Sequence, residues 1–161
     1  MVSIYLDTSV INFLFADDAP EKRDITIDFF NNFIQKGAYN TYISDFVLQE
    51  ILQTNDINKR EQLIQVIEDY NIELMEISDY NAVDDLAELY ISNGVIPEKK
   101  RFDALHVAFS VINNIDYLVS WNYKHLANIN RERKVISVNL SNNYLHSIRI
   151  ITPLELIDYG S

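Results

Sequence analysis

Residues 101–120 constrain the fold of this chain more than any other stretch. On a helix that turns by about 100° per residue, Asp103, His106 and Ser110 share one narrow arc, and apolar residues occupy most of the circumference. A helix this apolar is buried on most sides, which leaves Asp103 on a thin polar seam in the first turn. An equally good explanation for Asp103 alone is that it complements the dipole at the helix N-terminus. Residues 115–119 then form a short apolar run, typical of a strand buried on both faces.

Polar residues follow the two most apolar strand patterns of the chain. The first strand pattern, residues 2–6, ends at Asp7, and the run at 115–119 leads into Ser120 and Asn122. Ligands of open α/β sheets bind at the carboxyl ends of the strands, so these residues mark a candidate site. An opening strand this apolar is also expected to be central in its sheet.

The rest of the chain alternates between strand and helix patterns, which predicts a single α/β domain, residues 1–161, with a mainly parallel sheet. A polar connection is expected at 131–143, and Pro153 is expected to begin a short terminal helix. Further strands are predicted at 39–43, 72–77 and 148–152, and helices at 10–15, 21–36, 46–53 and 59–70, with another that ends at Asn93-Gly94.

Composition excludes several classes of protein. An apolar content of 48% argues against disorder, and the absence of cysteine excludes disulfides and thiolate metal sites and suits a cytoplasmic protein. No apolar run approaches the length of a membrane span, and no secretory signal is expected at the N-terminus. The formal charge of −11 makes the chain a poor general binder of nucleic acid, so such binding would need local basic patches or metal ions.

Three acidic residues stand out by their placement. Asp7 follows the first strand, Asp103 lies on the seam of a buried helix, and Glu50 lies at the edge of the apolar face of helix 46–53. A carboxylate at such an edge either reaches into water, which is the commoner case, or turns into a cleft. Parallel topology can bring all three acids to one edge of the sheet, where their repulsion favours a bound cation. With no cysteine and few histidines, the fitting cation is Mg²⁺ or Mn²⁺, and the chemistry indicated is phosphodiester hydrolysis.

Five sequence segments occur in this order along essentially the whole chain. They are Leu6-Asp7-Thr8-Ser9, Val47-Leu48-Gln49-Glu50-Ile51, Asp103-Ala104-Leu105-His106-Val107-Ala108, Asp116-Tyr117-Leu118-Val119-Ser120-Trp121-Asn122 and Ile150-Ile151-Thr152-Pro153-Leu154-Glu155. Together the five segments resemble the PIN domain family. The resemblance implies a three-layer α/β/α sandwich with a central, mainly parallel sheet, and metal-dependent ribonuclease activity. Among small single-domain members, the chain looks most like the toxins of VapC-type toxin–antitoxin pairs.

The resemblance also implies roles for individual residues. Asp7, Glu50 and Asp103 match the family's acidic metal-binding positions, and Ser120 matches its hydroxyl residue near the site. Asn122 stands where the family often has a fourth acid, so a second metal ion would be held weakly. Asp7 and Asp103 are expected to bind Mg²⁺ or Mn²⁺, with Glu50 as a ligand or as the group that positions water. Cleavage would leave 5′-phosphate and 3′-hydroxyl ends, and a homodimer with a small inhibitory antitoxin is expected.

A short basic segment precedes the acid of the buried helix. Lys99, Lys100 and Arg101 lie directly before Asp103, which makes them candidate RNA contacts on an otherwise acidic chain, and Lys124 extends this set. An ordinary solvated loop explains the three consecutive charges equally well.

Two neighbours of the predicted site are expected to have structural roles. Trp121 lies beside the site and is predicted to pack in the core or in a subunit interface rather than to stack on a base. His106 shares the arc of Asp103 and is predicted to be a hydrogen-bonded structural histidine rather than a base or a ligand.

The sequence argues against two other classes of phosphoryl-transfer protein and leaves one main alternative to the nuclease. Haloacid-dehalogenase-like phosphotransferases need a second Asp two residues after the first, and this chain has Ser9 there, which argues against that class. Ser9 is predicted to be an accessory residue of the acidic site. The acidic pair and mid-chain phosphoacceptor of a receiver domain cannot be placed. The main alternative is a PIN-like domain that has lost catalysis and acts as a binding module. Asn122 and the acidic surface favour that alternative, whereas the three acids disfavour it.

Overall fold

A five-stranded, all-parallel sheet forms the centre of the molecule, in a computed structural model that describes residues 1–122 and 126–160. The strand order is β3-β2-β1-β4-β5, so the first strand is the middle one, as predicted. The strands are β1 (Ser3–Leu6), β2 (Asn40–Ile43), β3 (Glu73–Leu74), β4 (Tyr117–Val119) and β5 (Arg149–Ile151).

Eight α-helices of the described residues flank the sheet, consistent with the predicted three-layer α/β/α sandwich. Short 3-10 turns at Phe13–Phe15 and Glu98–Lys100 and a π-helical turn at Phe30–Ile34 accompany them. None of the helices in these ranges combines the length and apolar character needed to cross a membrane. The helices are α1 (Thr8–Asn12), α2 (Pro20–Phe29), α3 (Asp45–Leu52), α4 (Ile57–Asp69), α5 (Tyr80–Ser92), α6 (Arg101–Ile112), α7 (Ile129–Ser141) and α8 (Pro153–Gly160).

The central position of β1 brings the ends of two strands together. Its apolar side chains are fully buried between the helical layers, as expected for a strand covered on both faces. Leu6 pairs in register with Val119 of β4, and both strands run in the same direction. Asp7 follows the first of these residues and Ser120 the second, so both polar residues lie at one edge of the sheet.

Two helices carry the other acids to this edge. Helix α3 begins at the N-cap Ser44, whose Oγ accepts a hydrogen bond from the backbone N–H of Phe46 at 3.2 Å. Helix α6 follows the Glu98–Lys100 turn directly and is buried on most sides, as the wheel of residues 101–112 predicts. It carries Asp103 in its first turn.

The strand predicted at 72–77 is shorter in the structure. Only Glu73–Leu74 pairs with β2, and both residues are exposed at the edge of the sheet. An edge strand has one neighbour, so its length depends on how many residues stay in register with that neighbour. The alternating pattern of residues 72–77 therefore predicted a longer strand than the two residues that form it.

The polar connection predicted at 131–143 is wrong, because this segment lies mostly in helix α7. The side chain of Asn128 caps the helix by accepting a hydrogen bond from the backbone N–H of Arg131 at 2.8 Å. Val135 and Asn139, which lie one turn apart, are buried against the rest of the fold. A narrow buried stripe is enough to hold a mostly polar helix, and the sequence pattern did not reveal it.

Candidate functional site

An open cavity of about 370 Å³ lies at the carboxyl edge of the sheet, next to the ends of β1 and β4. The three acids predicted from the sequence, which are far apart along the chain, all line this cavity. Two of the predicted accessory residues, Ser9 and Asn122, line it as well. The acids are Asp7, Glu50 and Asp103.

Asp7 is held in place by the transition from β1 to α1. Its side chain is the N-cap of α1, and Oδ1 accepts hydrogen bonds from the backbone N–H of Val10 at 3.4 Å and from Ser9 Oγ at 2.5 Å. Ser9 Oγ in turn accepts a hydrogen bond from the backbone N–H of Trp121 at 3.0 Å. These contacts fix the carboxylate of Asp7 where the strand ends.

Burial dominates the electrostatics of Asp7, which is 2% exposed. Loss of hydration raises the pKa of its carboxyl, although the nearby charge of His106 and hydrogen bonds from Ser120 and Ser9 oppose the rise. Ser120 is itself buried, and its Oγ accepts a hydrogen bond from the backbone N–H of Asn122 at 2.9 Å. The hydroxyl of Ser120 therefore contacts Asp7, and its accessory role in the site stays a prediction.

The side chain of Glu50 turns into the cavity. A carboxylate at the edge of an apolar helix face more often reaches into water. The Glu50 side chain is 26% exposed, and Oε1 accepts hydrogen bonds from Thr8 Oγ1 at 2.6 Å and from His106 Nε2 at 2.5 Å. Burial by itself would raise the pKa of this carboxyl. The hydrogen bond and charge of His106, the hydrogen bond from Thr8 and the charge of Lys100 outweigh it, so the pKa of Glu50 is lowered.

The carboxyl of Asp103 is perturbed as well. Burial, followed by the negative charge of Asp7, raises its pKa from 3.8 to about 6, while the charges of His106 and Lys100 partly oppose the rise. Its Oδ2 accepts a hydrogen bond from Asn122 Nδ2 at 2.8 Å. The three carboxylates repel one another inside the cavity, and a bound cation would reduce this repulsion.

A buried chain of hydrogen bonds runs from the cavity into the core. His106, which is 1% exposed, contacts Glu50 through Nε2, and its Nδ1 lies 2.6 Å from the hydroxyl of Tyr5. The same hydroxyl lies 2.6 Å from Ser44 Oγ. Burial lowers the pKa of His106, but the hydrogen bond and charge of Glu50 and the charges of the two aspartates outweigh it and raise the pKa. His106 is thus hydrogen-bonded, as predicted, and its partner is one of the site acids.

Tyr5, Thr8 and Ser44 also belong to this region, although the sequence did not predict them as part of the site. One available signal was the alternation of β1, which places Ser3, Tyr5 and Asp7 on one face of the strand. A tyrosine between two polar residues on that face indicates a buried hydroxyl that needs a partner. The identity of that partner cannot be read from local periodicity.

The basic residues before α6 divide into two groups. Lys99 and Lys100 line the cavity, so both can reach an anionic substrate. The charge of Lys100 lowers the pKa of Glu50 and opposes the rise of the pKa of Asp103. Lys124, another predicted contact, lies outside the described residues.

Arg101 also lines the cavity, but its guanidinium is held by the neighbouring helix. Its Nη1 lies 2.8 Å from Glu88 Oε2, and its Nη2 lies 2.6 Å from Asp84 Oδ1, both on α5. The pairing joins the start of α6 to α5. We therefore expect Arg101 to be a weaker substrate contact than the two lysines that precede it.

Trp121 packs in the core, as predicted. Its side chain is 4% exposed, and Nε1 donates a hydrogen bond to Thr26 Oγ1 at 2.8 Å. The indole also packs against Phe13, with ring centroids 5.8 Å apart. These contacts leave its faces inside the protein rather than open to a nucleic-acid base.

The donor set of the cavity fits a hard divalent cation, because it offers carboxylate and amide oxygens. Among residues 1–122 and 126–160, however, no three His, Cys, Asp or Glu side chains are arranged to hold one metal ion. Each of the three acids already accepts a hydrogen bond from a neighbouring side chain. Direct ligation of Mg²⁺ or Mn²⁺ by these acids therefore stays a prediction.

No family model matches the chain, and no curated protein matches it either. Membership of the PIN family consequently remains an expectation from the motifs described above.

Proposed function

We propose that the chain is an Mg²⁺- or Mn²⁺-dependent endoribonuclease that hydrolyses RNA phosphodiesters at the acidic cavity. The observation that carries the proposal is the convergence of Asp7, Glu50 and Asp103, which come from three separate elements and line one cavity. Burial and mutual repulsion raise the pKa of the two aspartates. A divalent cation would reduce the repulsion between the carboxylates. It would also allow an anionic RNA phosphate to approach these carboxylates.

Each acid has a separate role in this proposal. Asp7 and Asp103 would hold the ion, which when bound lowers the pKa of a water and stabilises charge on a phosphoryl oxygen. Glu50, whose pKa is lowered, is an ionised carboxylate that can accept a proton from the attacking water. Lys99 and Lys100 at the same cavity would bind substrate phosphates. In-line attack would leave 5′-phosphate and 3′-hydroxyl ends.

Asn122 limits the number of ions that the site is expected to hold. It donates a hydrogen bond to Asp103 and orients that carboxylate, but it adds no negative charge. We therefore expect one firmly held ion, with a second ion bound only when RNA phosphates contribute ligands.

A second candidate function is a non-catalytic binding module with the same fold. Two points favour it. Asn122, at the position where the resemblance implies a fourth acid, contacts Asp103 and brings no charge. The described residues also contain no preformed three-ligand group. The cavity would then bind a partner without cleaving it. A homodimer and the pairing of a toxin with a small antitoxin stay predictions that rest on the resemblance alone.

A titration with Mn²⁺ distinguishes the two functions. The wild-type chain and two variants, Asp7→Asn and Asp79→Asn, are titrated while thermal unfolding and cleavage of a labelled RNA are followed. Asp79 is a matched control because it is also an N-cap aspartate, on α5, and accepts a hydrogen bond from the backbone N–H of Ala82 at 3.0 Å. Asn caps helices about as well as Asp, so both variants should fold.

If the chain is a metal-dependent nuclease, Mn²⁺ should raise the melting temperature of the wild type and of Asp79→Asn, and both proteins should cleave RNA. Asp7→Asn should lose both responses. Undiminished cleavage by Asp7→Asn would contradict the assignment of Asp7. A wild type that shows no response to Mn²⁺ and no cleavage would favour the binding module.

A further inference from the structure

We propose that Tyr5 and His106 are positioning residues, which fix one oxygen of Glu50, Oε1, and leave Oε2 to act in the cavity. This inference rests on the proposed hydrolase and deepens it, because it states which atom of Glu50 faces the reaction. Its basis is the continuous buried contact from Ser44 through Tyr5 and His106 to Glu50.

The two contacts of Glu50 fall on the same oxygen. Oε1 accepts hydrogen bonds from Thr8 Oγ1 at 2.6 Å and from His106 Nε2 at 2.5 Å. No hydrogen bond to Oε2 occurs in the part of the chain that the structure describes. Two donors on one oxygen restrict the rotation of the carboxylate, so the direction of the other oxygen is set as well.

The hydrogen bond between His106 and Glu50 has only one possible donor when Glu50 is ionised. An ionised carboxylate has no proton to donate, so Nε2 must carry the proton that Oε1 accepts. If Nδ1 is then bare, the Tyr5 hydroxyl donates to it and the Ser44 hydroxyl donates to Tyr5. If Nδ1 is protonated instead, the same bonds run the other way, from Nδ1 to Tyr5 and from Tyr5 to Ser44. Nε2 donates to Glu50 in both arrangements.

The hydrogen-bond network is anchored in the buried core of the fold. Tyr5 lies on the central strand with no exposed surface, and Ser44 is held at the N-cap of α3, where its Oγ also accepts a hydrogen bond from the backbone N–H of Phe46 at 3.2 Å. None of these hydroxyl and imidazole atoms is a buried polar atom without a partner. A fully paired buried network of this kind holds one geometry, because breaking any bond leaves a desolvated polar group.

Packing also limits the movement of the imidazole. The His106 ring lies 5.5 Å from the Tyr5 ring and 6.4 Å from the Phe102 ring, centroid to centroid. The rings leave the imidazole in the orientation that points Nε2 at Glu50. The function of the network is therefore to set the orientation of a carboxylate, and neither Tyr5 nor His106 has to touch substrate.

The test compares two substitutions that each remove one buried tyrosine hydroxyl. Tyr5→Phe removes the hydroxyl next to His106, whereas Tyr90→Phe removes the hydroxyl on α5 that donates to Asn139 Oδ1. Both side chains are fully buried, and Tyr90 does not line the cavity. Steady-state cleavage of RNA with Mn²⁺ gives kcat and KM for each protein, and a Mn²⁺ titration gives the affinity for the ion.

Tyr5→Phe is expected to lower kcat by about 10-fold and to leave KM unchanged. A loss of about 10-fold is the lower end of the range seen when a residue that orients a functional side chain is removed. Tyr90→Phe is expected to keep the wild-type kcat. If the two variants have equal kcat values while the wild type cleaves, the positioning inference is wrong and the proposed function stands. A wild type that neither binds Mn²⁺ nor cleaves overturns both.

A second measurement tests the geometry without activity. Long-range ¹H–¹⁵N spectra of the three histidines in the wild-type protein report which ring nitrogen carries a proton, and the His106 signals are identified by their loss in His106→Gln. A protonated Nε2 supports the inference. A bare Nε2 overturns it, because Oε1 of the Glu50 carboxylate would then have no donor on that side.

Discussion

Asp103→Asn is expected to stabilise the metal-free protein while abolishing its response to Mn²⁺. Folding raises the pKa of Asp103 from 3.8 to about 6, chiefly through burial and the charge of Asp7. Below the lower pKa the carboxyl is protonated in both the folded and the unfolded state, and it imposes no penalty. As the pH rises towards 6, the unfolded state loses its proton first, so the free energy of unfolding falls.

The size of the effect follows from the two pKa values. A difference of about two pH units corresponds to about 3 kcal/mol of destabilisation at pH 8, and to about 1.5 kcal/mol at pH 5, where ionisation of the folded state has barely begun. Asn carries no charge and avoids this penalty. Its side-chain oxygen can still accept the hydrogen bond that Asn122 donates to Asp103. Asp103→Asn should therefore be more stable than the wild type by these amounts.

Urea unfolding at pH 5 and pH 8 in the presence of EDTA measures the difference. Asp85→Asn, which neutralises an exposed carboxyl on α5, is the control and should change the free energy of unfolding little at either pH. With Mn²⁺ at about 100 times its Kd, the wild type should gain about 2.7 kcal/mol, and Asp103→Asn should gain none. Lower stability of Asp103→Asn than of the wild type at pH 8 would contradict the burial penalty assigned to Asp103, and a full gain from Mn²⁺ would contradict its role as a ligand.

Two further predictions concern the neighbours of Asp103. Asn122→Asp replaces a hydrogen-bond donor to Asp103 with a second carboxylate, so it should lower the free energy of unfolding without metal by about 1–3 kcal/mol and tighten Mn²⁺ binding. Urea unfolding and calorimetric titration check it, and weaker Mn²⁺ binding would contradict it. Lys100→Met should raise KM for RNA more than Arg101→Met does, because the guanidinium of Arg101 is paired with two acids of α5. Equal KM values for the two variants would count against this division of roles.

Local patterns in the sequence predicted much of the fold and part of the site. The apolar opening strand predicted the centre of the sheet, and the thin polar seam of residues 101–112 predicted a buried helix with its acid at the start. Asp7 and Ser120 were predicted at strand ends because periodicity shows where a buried strand stops. Where burial was narrow or at an edge, as in α7 and β3, the same patterns misjudged the elements.

The direction of Glu50 was decided by tertiary structure. Its partners Thr8 and His106 lie 42 and 56 residues away along the chain, so no local pattern contains the contact. The link from His106 to Tyr5 spans 101 residues and likewise exists only in the folded state. The sequence determined which side chains face inward, because burial follows the period of each helix and strand. Only folding decided which of them meet, because hydrogen bonds and charges act over a few ångströms of space, whatever the distance along the chain.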